Sequence, residues 1–210
     1  MKPDLVYTNE IYKSLLIFFD NVSGKGLGLA GGVFGHSKTG TVVSAKTTST
    51  VGEHSMEAQG ASKGTLHMWN RHQFTPANRI RYESKVKAVS LSNTRMRWGM
   101  CASLNYGTLV PTRAVWFEYD SLLSANIRLV TYSGASTYAD SGVAMDTNYH
   151  RYNFEVTTGN VDFYQDGVLL GTNTTGVPSD RLQLFYYIEH TSTAESEILI
   201  DYTFVIQKRA

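Results

Sequence analysis

The sequence predicts an all-β fold, an antiparallel sandwich, and three observations carry that prediction. From about residue 65 the chain consists of short runs rich in Val, Ile, Tyr, Phe, Trp and Thr, punctuated by Gly, Asn, Asp and Ser. No helical apolar pattern intervenes between these runs. Between two of them stands Asp166-Gly167, a dipeptide that supplies the positive φ a two-residue hairpin turn requires.

The expected strands, in chain order, are 65–69, 80–89, 95–102, 114–119, 126–132, 138–143, 149–157, 161–165, 168–172, 182–188 and 197–207. Their number and spacing fit a sandwich or barrel closed by hairpins. In the hairpin 161–172, Phe163 is expected to face inward, with Asp162 and Tyr164 on the opposite face. Along the strand around residue 154, Phe154 and Val156 share one face while Asn153 and Glu155 share the other. In the last strand, alternation groups Ile198, Ile200, Tyr202 and Phe204 against Leu199, Asp201, Thr203 and Val205. Both faces are nearly apolar, which places this strand in the interior of a sheet or gives its outer face a cover.

Residues 22–65 are crowded with Gly, Ser and Thr and show no helical period. The chain therefore divides into an extended N-terminal arm, 1–55, and a sandwich, 56–210. Ordering such an arm costs roughly 1–2 kcal/mol per residue in backbone entropy. Its apolar anchors, among them Leu15, Phe18, Phe19, Val33 and Phe34, are too sparse for a core of their own. A neighbouring copy of the chain is the expected surface for them, so self-association is expected.

Composition excludes several classes of function. Nineteen basic and eighteen acidic residues leave a formal charge of +1, with no field to draw in nucleic acid or an anionic membrane. The longest apolar run, Leu15 to Phe19, is far below the roughly 20 residues that cross a bilayer. Cys101 is the single cysteine, so no intrachain disulfide forms, and the thiol is expected within a strand in the core.

The segment from "VWFEYD" (115–120) through "VDFYQDG" (161–167) to "VP" (177–178), followed by "LQLFYYIEHTSTAESEILIDYTFVIQ", resembles the concanavalin A-like (laminin G-like) jelly-roll modules of bacteriophage virion structural proteins. The resemblance covers about residues 60–207. It implies a concanavalin A-like two-sheet jelly roll located on the virion, in a fibre or surface part that packs against copies of itself and other virion proteins. It does not by itself imply catalysis.

Glu118 and Asp120 raise the question of catalysis directly. Glycosidases built on this fold resemble a strand pattern Glu-x-Asp-x-(x)-Glu, and retaining enzymes need two carboxyl groups about 5–5.5 Å apart. Here the third position falls on Leu122 or Leu123, so the acid/base is missing. The expectation is a protein that is not an enzyme, with the pair at a solvent-facing strand end or bonded to a neighbouring loop. The runner-up is a polysaccharide-degrading glycosidase or lyase on the same sandwich, and a third reading is a lectin-like adhesion module.

Sugar sites pair aromatic faces with amides and carboxylates. The carbohydrate-binding candidates are Trp69, Trp98, Tyr106, Trp116, Glu118, Tyr119, Asp120 and Tyr132. The same aromatics also suit a core or a subunit interface. "GVFGHSKTG" (32–40) has Ser37 where a phosphate loop needs glycine before Lys38. His54, His67 and His72 lack the spacing of a zinc site, and Asp140, Asp146, Asn148 and Asp180 do not make a dense calcium loop. No metal or other cofactor is expected. In "NRIRYESKVK" and "NTRMRWGM" alternation gives charged strand faces rather than a nucleic-acid surface.

Overall fold

The computed structural model describes residues 34–39, 42–47, 54–68, 74–105, 110–192 and 195–207. These form β1 (Phe34–Thr39), β2 (Val42–Thr47), β3 (His54–Gln59), β4 (Ser62–Met68), β5 (Ile80–Ala88), β6 (Thr94–Asn105) and β7 (Val110–Asp120). They continue with β8 (Asn126–Tyr132), β9 (Ser136–Ala144), β10 (His150–Thr157), β11 (Asn160–Gln165), β12 (Val168–Asn173), β13 (Gln183–His190) and β14 (Glu195–Gln207). One turn of 3₁₀ helix, Pro76–Asn78, precedes β5.

All strand pairs are antiparallel, in two seven-stranded sheets. The first sheet runs β1-β4-β13-β6-β7-β8-β9 and the second β12-β11-β10-β5-β14-β3-β2. The sandwich expected from the sequence is therefore present, and each of the eleven expected strands overlaps a strand in one of its sheets.

The sheets also take strands from residues assigned to the arm. β1 and β2 are outermost strands, one in each sheet. An outermost strand needs only one ladder of backbone hydrogen bonds, so a Gly- and Thr-rich sequence with little apolar alternation can fill it. Most of the remaining arm, including its anchors from Leu15 to Val33, lies outside the described residues.

Between the sheets, Trp98 and Phe117 of the first meet Tyr152, Phe154 and Phe163 of the second. Trp98 sits edge-on to Tyr152 at 4.9 Å and Phe117 edge-on to Phe163 at 5.3 Å between ring centroids. Each such buried ring contributes on the order of 1.5–3 kcal/mol. A polar knot crosses this core: the Ser84 hydroxyl lies 3.1 Å from the Tyr186 phenol and 2.8 Å from the Thr203 hydroxyl, and the latter two also touch.

The hairpin β11–β12 turns through Asp166 and Gly167 at φ 50° and 86°, with Phe163 fully buried. In β14 the expected faces are rearranged. The register shifts between Ile200 and Tyr202, so the extra residue, Asp201, reverses the alternation beyond it. Ile198, Ile200, Thr203 and Val205 are buried, while Tyr202 and Phe204 stand on the outer face.

Candidate functional site

β7 carries two sets of side chains. Val115, Phe117 and Tyr119 enter the core between the sheets, and period-2 alternation sends Ala114, Trp116, Glu118 and Asp120 to the opposite face of the first sheet. There the register sets Arg97 of β6 and Arg128 of β8 on either side of Glu118, with Arg95 opposite Asp120.

This face is covered. Cys101, Ala114, Trp116, Val130, Phe185 and Tyr187 form a second buried cluster on it, and Glu118 and Asp120 are 1% and 2% exposed. The pair is thus not a solvent-facing strand end. Burial also pushes the Cys101 thiol well above its ordinary value, which leaves it unreactive.

Buried carboxylates need cations and donors, and here they have both. Arg97 Nε donates to Glu118 Oε2 at 2.5 Å, and Trp116 Nε1 approaches the same oxygen at 3.4 Å. Arg128 pairs with Oε1. Arg95 bridges Asp120 at 2.6 Å and Glu189 at 3.0 Å, and the Tyr187 phenol donates to Glu189 at 2.7 Å. The Arg97 guanidinium lies 4.9 Å from the centre of the Tyr187 ring, and that of Arg128 4.7 Å from the Tyr138 ring, within cation–π range.

Three guanidinium groups therefore balance three carboxylates. Burial lowers the pKa of Arg97 and Arg128. For Arg95, burial acts in the same sense, but the bonds to Asp120 and the charge of Glu189 outweigh it and raise the pKa. Both oxygens of Glu118 are committed to cations. Asp120 Oδ1 accepts from the Leu122 amide at 3.1 Å and shapes the turn that follows β7. The pair is a charge-locking element, accessible from outside chiefly through Arg95, Arg128 and Glu189, whose side chains are 32%, 20% and 22% exposed.

Of the aromatic candidates, Trp116 and the half-buried Tyr132 share the face of Glu118 and Asp120. Trp98 and Tyr119 project from the other face of the sheet into the core. Trp98 has no exposure, and Tyr119 donates its hydroxyl to the Leu91 carbonyl at 2.9 Å. Neither Trp98 nor Trp116, the latter 3% exposed, leaves a ring face open for stacking. Trp69 and Tyr106 lie outside the described residues. Sequence reasoning did not single out Arg95, Arg97, Arg128, Tyr138, Tyr187 or Glu189. The alternation in "TRMRW" and "NIRLVTY" does place their charges on one face, but the partner strands come only from the register.

Two antiparallel seven-stranded sheets packed face to face define a concanavalin A-like jelly roll. Solved structures share this fold. The Bacillus licheniformis β-glucanase matches 95% of this chain and 100% of its own at 12% identity, with a TM-score of 0.64. The Emp47p carbohydrate recognition domain matches 90% of this chain and 94% of its own at 11% identity and a TM-score of 0.63. The κ-carrageenase from Pseudoalteromonas carrageenovora matches 100% of both chains at 14% identity and a TM-score of 0.59. At such identities the likeness defines the fold. No protein-family model matches the chain, and neither does any curated protein sequence.

The expectation that the protein is not an enzyme does not stand against these neighbours. Most of them are glycosidases, including a glycoside hydrolase family 16 endo-glucanase from Bacteroides ovatus. None of those named here is a virion protein.

Proposed function

We propose that this protein engages a polysaccharide, with glycoside hydrolysis as its reaction. The observation that carries the reading is the extent of the fold likeness: the sandwich matches a β-glucanase over 95% of the present chain and all of the enzyme. The carbohydrate recognition domain among the neighbours supports the binding half of the reading. On the first sheet, the open end of the charge network supports it too. Tyr138 is 51% exposed beneath the Arg128 guanidinium, and Asp140 accepts from the Asn126 amide at 2.9 Å beside it. Ring face, guanidinium, amide and carboxylate together suit a polyhydroxylated ligand. Glu118 and Asp120 act here as positioning residues that hold the arginines.

The test is incubation of the full chain with mixed-linkage β-glucan and with κ-carrageenan, followed by affinity electrophoresis and assay of new reducing ends. Retardation and release of reducing ends with the same polymer are expected. Neither effect with either polymer would overturn the reading. Glu118→Gln, compared at equal amounts of folded protein, is expected to retain turnover, and its complete loss would put that carboxylate in the chemistry instead.

For the place of action we propose the surface of a phage particle, with further copies of the chain as neighbours. The resemblance of residues 60–207 to virion modules supports it. Peptides of the chain in gradient-purified particles, and a multimer in light scattering, are the expected results. Absence from particles would overturn the assignment.

A further inference from the structure

The outer face of the second sheet has a different character from the covered face of the first. Across four adjacent strands the register sets Tyr164 (β11), Asn153 (β10), Glu83 (β5) and Phe204 (β14) in one row. The two rings end the row, three strand spacings apart or roughly 14 Å, and both are half-buried rather than covered. Tyr202, brought outward by the bulge at Asp201, stacks beside Phe204 at 6.2 Å with ring planes 12° apart, and its hydroxyl donates to Glu83 Oε1 at 2.8 Å. Between the rings, Asn153 is 8% exposed, and its side-chain amide has no hydrogen-bond partner among the described residues. The amide reaches the surface of the sheet and is open to a ligand that supplies both a donor and an acceptor.

We propose that this row is a second carbohydrate-binding surface, one that takes an uncharged oligosaccharide laid across the strands. The proposal rests on the polysaccharide reading above. Its chemistry selects the ligand class. A pyranose ring offers an apolar face to Tyr164 or Phe204 and, at its edge, hydroxyl groups that donate and accept at once. The Asn153 amide can use both properties, and Glu83, whose Oε2 lies 3.8 Å from the Arg81 guanidinium, keeps lone pairs that accept from a hydroxyl. An apolar protein surface would bury the Asn153 amide unpaired. With Arg81 already paired to Glu83, the row itself carries no cation to hold a sulfate or phosphate.

The test is titration of isotope-labelled full-length protein with a mixed-linkage glucan tetrasaccharide and, separately, with a κ-carrageenan oligosaccharide, followed by NMR. The Asn153 side-chain amide and the Tyr164 ring signals are expected to move with the neutral ligand and not with the sulfated one. Asn153→Leu and Tyr164→Ala are each expected to weaken the neutral ligand at least fivefold with an unchanged melting temperature. Shifts confined to Arg128 and Tyr138 would overturn this row and leave the proposed function intact. Binding unaffected by both substitutions would overturn it as well. No shift with either ligand would overturn both.

Discussion

Gly99 lies directly opposite Trp116 across the β6–β7 ladder, so close that a Cβ on Gly99 would stand 2.3 Å from the Val115 carbonyl oxygen and 2.7 Å from Trp116 Cα. Both obstacles are backbone or backbone-adjacent, so no side-chain rotation relieves them. Gly99→Ala is expected to cost about 3 kcal/mol, at the upper end for overpacking, and to lower the melting temperature by roughly 6–12 °C in a chain of this size. Calorimetry of the variant checks this, and a wild-type melting temperature would show that the two strands can separate at little cost.

Glu118 joins two guanidinium groups whose side chains are 13% and 20% exposed. Breaking a buried ion pair from one side typically costs 3–5 kcal/mol, because the remaining charge is left uncompensated. Glu118→Gln is therefore expected to lose about 3 kcal/mol in chemical denaturation. Adding Arg97→Met, which removes one of the stranded cations, is expected to recover part of the loss. Additive losses in the double variant would show that the two groups are not coupled.

His150 is held between Asp166 at 2.6 Å and Asp146 at 3.1 Å. Burial opposes a charge on the imidazole, but the bonds to both carboxylates outweigh it and raise its pKa. A raised value in the folded state stabilises the protein fully below the unfolded value, about 6.5, and the contribution fades as pH rises through the folded value. Asp146 is displaced the other way, mainly by the Asn148 amide, so its contribution fades as pH falls through its lowered folded value. The melting-temperature gap between the wild type and His150→Gln is expected to be widest near pH 5–6 and to close in alkali. A gap independent of pH would assign His150 to packing alone.

Asp201 is the extra residue that turns Tyr202 and Phe204 outward, and its ion pair with Lys85 at 2.6 Å is about one-third exposed on both sides, a setting in which such pairs contribute little. Deleting Asp201 is expected to unfold the domain or reduce its stability by far more than Asp201→Ala. The deletion sends Tyr202 and Phe204 toward a filled core and Thr203 and Val205 outward. Circular dichroism and melting of the two variants separate these outcomes, and equal effects would show that the bulge is dispensable.

Much of the fold was legible because period-2 alternation and turn chemistry are local. The hairpin through Asp166-Gly167, the inward Phe163 and the strand at 126–132 needed only neighbouring residues. β1 and β2 were missed because an outermost strand draws its stability from a partner's backbone and leaves little apolar pattern behind. The β14 faces were misassigned because a one-residue bulge has no compositional mark, although it inverts every side chain beyond it.

The candidate sites divide in the same way. By itself the sequence determined which side chains share a strand face: Glu118 with Asp120 and Trp116, Arg95 with Arg97, and Asn153 with Glu155. Only the tertiary structure decided that Glu118 is gripped by Arg97 and Arg128, that Trp98 is core, and that Asn153 lies unpartnered between Tyr164 and Phe204. Alternation along a strand is a property of consecutive bonds, whereas cross-strand register and burial depend on residues distant in sequence. The chemistry of a carboxylate or an amide depends on those distant neighbours.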